Sequence, residues 1–156
     1  LAFCRASGVS MHHVKPHGAL YNMAAKDAKL ARAIVEGICE VDDRLTLLAL
    51  SGSEMLFAAE KAGLRAASEV FADRAYQANG TLVPRSQPGA MITDENEAIA
   101  RVVRMVTEGV VTSIDGIDVP LRADSICVHG DGAKALLFVQ KIRAALEEKG
   151  VALKAL

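Results

Sequence analysis

The stretch RLTLLALSGSEMLFAAEKAG, Arg44 to Gly63, decides the fold. RLTLLAL is a continuous apolar run, the pattern of a strand buried on both faces. SGSE then supplies turn and helix-start residues, a short helix follows over Ser53 to Ala62, and Gly63 stops it. A doubly buried strand that runs straight into a helix is the repeating unit of a parallel sheet with crossover helices.

Working outward, the same alternation recurs. Upstream, Val9 to Val14 reads as a strand, and Asp27 to Glu40 as a helix with Leu30, Ile34, Val35 and Ile38 on one stripe. Downstream, Leu64 to Val70 reads as a third strand, followed by a long irregular piece from Phe71 to Thr93 that holds Asn79-Gly80, Pro84 and Pro88. Asp94 to Glu108 is a helix capped by Thr93 or Asp94 and stopped by Gly109. Asp115-Gly116 marks a hairpin turn within Val110 to Pro120. Ser125 to Val128 is a strand, and Gly132 to Lys149 a helix with Ala135, Leu136, Val139, Ile142 and Leu146 on its apolar face. Gly150 ends that helix and Val151 to Leu153 starts one more strand. The pattern predicts an α/β fold, either an open doubly wound sheet or a piece of a (β/α) barrel, in one domain spanning residues 1–156.

Composition narrows the function classes. The 156 residues are 51% apolar and 24% charged, which suits a packed core and not disorder. Lys and Arg number 18 against 19 for Asp and Glu, so no electrostatic footprint for nucleic acid or an anionic membrane is present. No apolar run is long enough to span a bilayer. Cys4, Cys39 and Cys127 are odd in number and far apart, which predicts small buried hydrophobes in a reducing, cytoplasmic setting. LAFCRASG, Leu1 to Gly8, reads as the last turns of a helix closed by Gly8. A domain seldom begins inside a helix, so the sequence reads as the C-terminal part of a longer chain.

In either architecture the working face lies at the C-terminal ends of the strands. Four strand ends carry polar clusters: Lys15-Pro16-His17; Ser51-Gly52-Ser53-Glu54; Glu69, Asp73 and Arg74; and His129-Gly130-Asp131. Each has a plainer reading. Lys15 is a solvated charge, His17 and Asp131 cap helices, Asp73 and Arg74 pair with each other, and Arg85 is a loop charge. His12 and His13 alternate faces of a strand, which would put one of them inside. Ser51 and Ser53 start a helix and do not form a GxSxG nucleophile elbow. His17, His129, Asp73 and Asp131 are metal-ligand types, but no tight ligand spacing such as HExxH occurs, and no residue is assigned to a metal. The GxxxxGK[ST] pattern of P-loop nucleotide binding is absent. Four clusters on one face still point to a site.

VKPHGALYN, EVFADRAY, GTLVPRSQPGAMI and DSICVHGD, in that order, resemble the LamB/YcsF family, known for lactam utilization. The resemblance runs from about Val9 to the C-terminus. It implies a (β/α) barrel of the glycoside hydrolase/deacetylase type, lacking here its N-terminal part with Asp- and His-rich motifs. Asparagine is usual in the family where Gly132 stands. The implied activity is a cyclic-amide hydrolase, an ATP-dependent 5-oxoprolinase that opens 5-oxo-L-proline to L-glutamate with partner subunits B and C. The implied cofactor is ATP, with a divalent metal, Mg²⁺, as its partner. Phosphorylation would turn the lactam carbonyl oxygen into a leaving group. In that chemistry Lys15, His17, His129 and Asp131 would be catalytic, and Glu69, Asp73, Arg74 and Arg85 would bind substrate or phosphate. Two other readings stand beside it: a metal-dependent deacetylase or amidohydrolase, and a non-catalytic subunit that binds the lactam. Any sheet edge left open by the missing part would invite pairing, so a homo-oligomer is also among the expectations.

Overall fold

The computed structural model describes residues 1–129 and 135–156. In chain order the elements are α1 (Ala2–Ala6), β1 (His13–Val14), α2 (Ala19–Ala24), α3 (Ala28–Asp42), β2 (Thr46–Leu50), α4 (Glu54–Ala62) and β3 (Ala66–Phe71). They continue with α5 (Glu95–Thr107), β4 (Val110–Thr112), β5 (Asp118–Pro120), β6 (Ser125–Cys127) and α6 (Ala135–Glu148). The fold is mixed α/β. The larger sheet has strand order β1-β2-β3-β6, and β4 pairs with β5 in a separate ribbon. β1 runs parallel to β2, with His13 opposite Thr46, and β3 runs parallel to β6, with Glu69, Val70 and Phe71 opposite Ser125, Ile126 and Cys127. The chain divides into two compact units, one of residues 1–49 and 53–67 with Leu156, the other of residues 50–52 and 68–155.

In the first unit, Asp27 caps α3 by accepting from the backbone N–H groups of Lys29 and Leu30. The helix buries Ala31, Val35 and Ile38, a four- and three-residue spacing that makes one stripe, and packs on α2 and α4. Helix α4 buries Met55 and Ala59 and closes at Gly63, whose φ of 71° needs the freedom of glycine. The Gly63 N–H then bonds the Glu60 carbonyl and the Leu64 N–H the Ala59 carbonyl, a Schellman closure that turns the chain toward β3.

The second unit has two apolar clusters. Ala72, Val102, Ile142 and Leu146 are buried together, with Ile126, Phe138 and Val151 packed against them. Ala75, Val83 and Ala90 form the other, under Ile92. Asp94 caps α5 by accepting from the Glu97 N–H. The ribbon turns at Gly116 as the Asp115-Gly116 signal requires, and Arg104 on α5 binds its Thr112 and Asp118 side chains.

The structure corrects several expectations. Only His13 and Val14 of the predicted 9–14 strand pair as strand. Both His12 and His13 are exposed, so neither is an interior histidine. The expected strand at 151–153 does not form. The Val151 N–H instead bonds the Leu146 carbonyl and its side chain joins the core cluster, so the residue serves as the hydrophobic end of the α6 C-cap. On α6 the buried stripe is Ile142 and Leu146; Leu136 and Val139 are 73% and 45% exposed, against the predicted face. The predicted start of that helix at Gly132 lies outside the described residues. The three cysteines are half-buried, not core residues.

The segment from Phe71 to Thr93, irregular by sequence, is tied together by hydrogen bonds. The Val83 N–H donates to Ala75, the Ala75 N–H to Ala90, and the Ile92 N–H to Asp73. The Tyr76 hydroxyl, 1% exposed, accepts from the Phe71 N–H at 2.9 Å. Asn79-Gly80 is a turn, with the Gly80 N–H bonded to the Gln77 carbonyl. These bonds satisfy backbone groups that a buried loop would otherwise leave bare.

Candidate active site

The pairing of β3 with β6 sets the site. Parallel register places Phe71 opposite Cys127. Two residues further along each strand direction stand Asp73 and His129, and their side chains meet: Nδ1 of His129 lies 2.6 Å from Oδ2 of Asp73. The segment held to Ala75 and Ala90 delivers Arg85 to the other side of the ring, with Nη2 at 3.1 Å from Nε2 of His129. The three residues form one chain, Asp73–His129–Arg85.

That chain fixes the tautomer. A guanidinium has only donors, so Nε2 of His129 accepts from Arg85. The ring proton then sits on Nδ1 and is donated to the Asp73 carboxylate. Phe71 lies against the imidazole, with ring centroids 6.2 Å apart and planes tilted by 32°. Oδ1 of Asp73 is buried and has no hydrogen-bond partner among the described residues.

Arg74 does not pair with Asp73. Its Nη2 donates to the Val83 carbonyl at 2.6 Å, and its Nε is buried without a partner among the described residues. The side chain is only 5% exposed. Burial, and next the repulsion of Arg85, push its ionisation below the ordinary guanidinium range, while Asp73 acts in the opposite sense. Tyr76 is pushed up by burial and stays a neutral phenol.

A cavity of about 360 Å³ opens beside this chain. Asp73 and His129 line one wall; Ile92, Val128, Ala135 and Phe138 form an apolar wall; Thr93, Asp94 and Glu95 line the start of α5. Asp94 is already engaged as the helix cap, and Glu95 binds Lys141. An imidazole with a fixed tautomer and an oriented carboxylate on the wall of a half-apolar cavity, with the Arg85 guanidinium on the far nitrogen of the ring, suit proton transfer to a small substrate with an anionic part.

The remaining residues singled out by sequence stand as follows. Glu69 is inside β3 and 3% exposed, not at the strand's end. Lys15 is exposed just after β1 and lies over the Tyr21 ring at 5.2 Å from its centroid. His17 is exposed and does not cap α2; the cap position is Gly18, at φ 62°. Ser51 accepts from the Arg122 N–H at 2.9 Å, and Ser53 stands at the α4 N-cap without a side-chain cap bond. Asp131, with Gly130 and Gly132, lies outside the described residues. Among the described residues, no group of three or more His, Cys, Asp and Glu could hold a metal ion. Phe71 and Tyr76, which support His129, were missed as site residues because nothing in their sequence spacing marks them. Both fall within EVFADRAY.

The family model for the LamB/YcsF family matches residues 1–156. The A subunit of 5-oxoprolinase from Clostridium beijerinckii is 64% identical over 150 residues, which is 96% of this chain and 59% of that protein. The corresponding 5-oxoprolinase protein of Bacillus subtilis is 53% identical over 154 residues, 99% of this chain and 60% of that protein. A crystal structure of a lactam utilization protein from Thermus thermophilus superimposes with a TM-score of 0.87 at 46% identity, covering 99% of this chain and 62% of that one. The chain thus spans about three-fifths of the length of these relatives.

Proposed function

This chain belongs to the LamB/YcsF family, and we propose on that premise that it is part of one component of an ATP-dependent 5-oxoprolinase. The reaction is the hydrolysis of 5-oxo-L-proline to L-glutamate, with subunits B and C as partners, in the cytoplasm. The same reading makes the parallel sheet part of a (β/α) barrel of the glycoside hydrolase/deacetylase type.

The observation that carries the reading is the Asp73–His129–Arg85 chain at the cavity. Opening a five-membered lactam takes one water, breaks the ring C–N bond and returns a proton to nitrogen. His129 is the group that takes the proton from water at Nε2 and gives it to the ring nitrogen. Asp73 holds the ring in the tautomer that leaves Nε2 the acceptor and balances the imidazolium as it forms. Arg74 and Arg85 hold anionic oxygens, either the substrate carboxylate or an oxyanion at the former carbonyl. ATP, when bound, would supply the phosphoryl group that activates the lactam oxygen, and a second water would release that group as inorganic phosphate once the ring C–N bond is broken. Two guanidiniums with no carboxylate within ion-pair distance among the described residues fit its phosphates, and Mg²⁺ would enter as the nucleotide's partner.

The test is 5-oxoproline-dependent ATP hydrolysis with glutamate detected as product. It uses the full-length chain with its B and C partners, each omitted in turn. Glutamate formed only in the complete mixture is the expected result. The variants Asp73→Asn, Arg85→Ala and His129→Gln, each folded by circular dichroism, then lose turnover. Glutamate-free mixtures from competent partners, or near-normal activity in all three variants, would reject the reading.

A further inference from the structure

We propose that Arg85 is an oxyanion-operated cover on His129: a carboxylate or phosphoryl oxygen entering the site draws its guanidinium away and uncovers Nε2. The inference rests on the reading above only for which anion is physiological.

Three observations carry it. First, the Nε2 lone pair that proton transfer requires is already engaged, 3.1 Å from Nη2 of Arg85. As it stands, the histidine is oriented by Asp73 but covered. Second, this hydrogen bond is a poor use of a cation. Its acceptor is a neutral nitrogen, and no carboxylate lies within ion-pair distance of Arg85 among the described residues. A guanidinium binds carboxylate or phosphate in charge-assisted, bidentate fashion, about twice as strongly as neutral acceptors. Arg85 is also exposed, so the exchange needs only side-chain rotation.

Third, Arg74 is a second cation outside any ion pair among the described residues. It is 5% exposed, bound to the Val83 carbonyl and bare at Nε, and it feels the repulsion of Arg85. The one carboxylate that offsets it, Asp73, is committed to His129. Among the described residues Arg85 repels Arg74 and Asp73 offsets it only in part, a repulsion that an incoming oxyanion relieves. Binding and activation are therefore one event. Without an anion, Nε2 is blocked and water at the site is not deprotonated. With one, Arg85 turns to the anion and the base is free. Asp73 holds Nδ1 through Oδ2 alone and independently of Arg85, so the tautomer survives the exchange.

The experiment follows the side-chain nitrogens of His129 by ¹⁵N NMR in the full-length protein, assigned with His129→Gln. Inorganic phosphate and 5-oxoproline are titrated separately into wild type and Arg85→Ala. The expected wild-type result is movement of the Nε2 resonance toward that of a nitrogen accepting no N–H, while Nδ1 remains protonated. Arg85→Ala starts at that position and binds the probe about tenfold or more weakly, the loss of one charge-assisted contact. A response to phosphate alone assigns the cover to a phosphoryl group; a response to 5-oxoproline alone assigns it to the substrate carboxylate. No movement with either probe, or equal affinity and equal starting resonances in wild type and Arg85→Ala, would overturn the proposal. No turnover enters the readout, so an absence of glutamate in the assembled enzyme leaves the phosphate arm standing.

Discussion

Replacing Tyr76 by Phe removes one oxygen from the middle of the second unit. That oxygen accepts the Phe71 N–H at 2.9 Å, and Tyr76 is 1% exposed. Water cannot replace the lost acceptor without opening the segment, so the Phe71 N–H is left desolvated and bare. The penalty for a buried unsatisfied backbone donor is about 1–3 kcal/mol. The removed hydroxyl was itself desolvated, which trims the cost and leaves its sign unchanged. With a urea slope of about 2 kcal/mol/M for a chain of this size, the midpoint falls by about 0.5–1.5 M. Equilibrium urea unfolding followed by far-UV circular dichroism measures this. The site responds as well. Phe71 lies against the His129 ring, so loosening its backbone loosens the imidazole that Asp73 and Arg85 hold. An unchanged midpoint together with unchanged His129 resonances would refute the argument that Tyr76 anchors Phe71 and, through it, the site.

Other consequences follow from the same geometry. Leu146→Ala empties a position 1% exposed in the cluster with Val102 and Ile142, and should cost about 2–5 kcal/mol in the same unfolding assay. Asp94→Ala removes the acceptor for the Glu97 N–H and should cost about 1 kcal/mol, whereas Asp94→Ser restores most of it. Asp118 is held down to about 2, from an ordinary 3.8, by Arg104 and then by Thr112. A depressed folded-state value contributes stability that is complete above about pH 4 and is lost as pH falls toward 2. The stability of Asp118→Asn should therefore lie below wild type at neutral pH and converge on it near pH 2, by urea unfolding at each pH; parallel curves throughout would contradict this.

Much of the scaffold is written locally. The RLTLLAL run, the stripe through Val35 and Ile38, the Asp94 cap, the Asp115-Gly116 turn and Gly150 past α6 are all short-range signals, and the structure follows each. They work because periodicity and capping depend on residues within a turn or two of one another. Sequence also placed Asp73 and His129 after strands. It did not show that they face each other, since this depends on the β3–β6 register between residues 56 apart. Nor did it show that Arg74 is buried against the Val83 carbonyl while Arg85 reaches His129, because the path of the 71–93 segment sets which arginine goes in. The brevity of β1 and the exposed Leu136 and Val139 likewise contradicted patterns that looked sound by period alone. Which residue types stand at strand ends is a property of the chain. Which of them meet is decided by register and by long-range backbone bonds, and those exist only once the strands have paired.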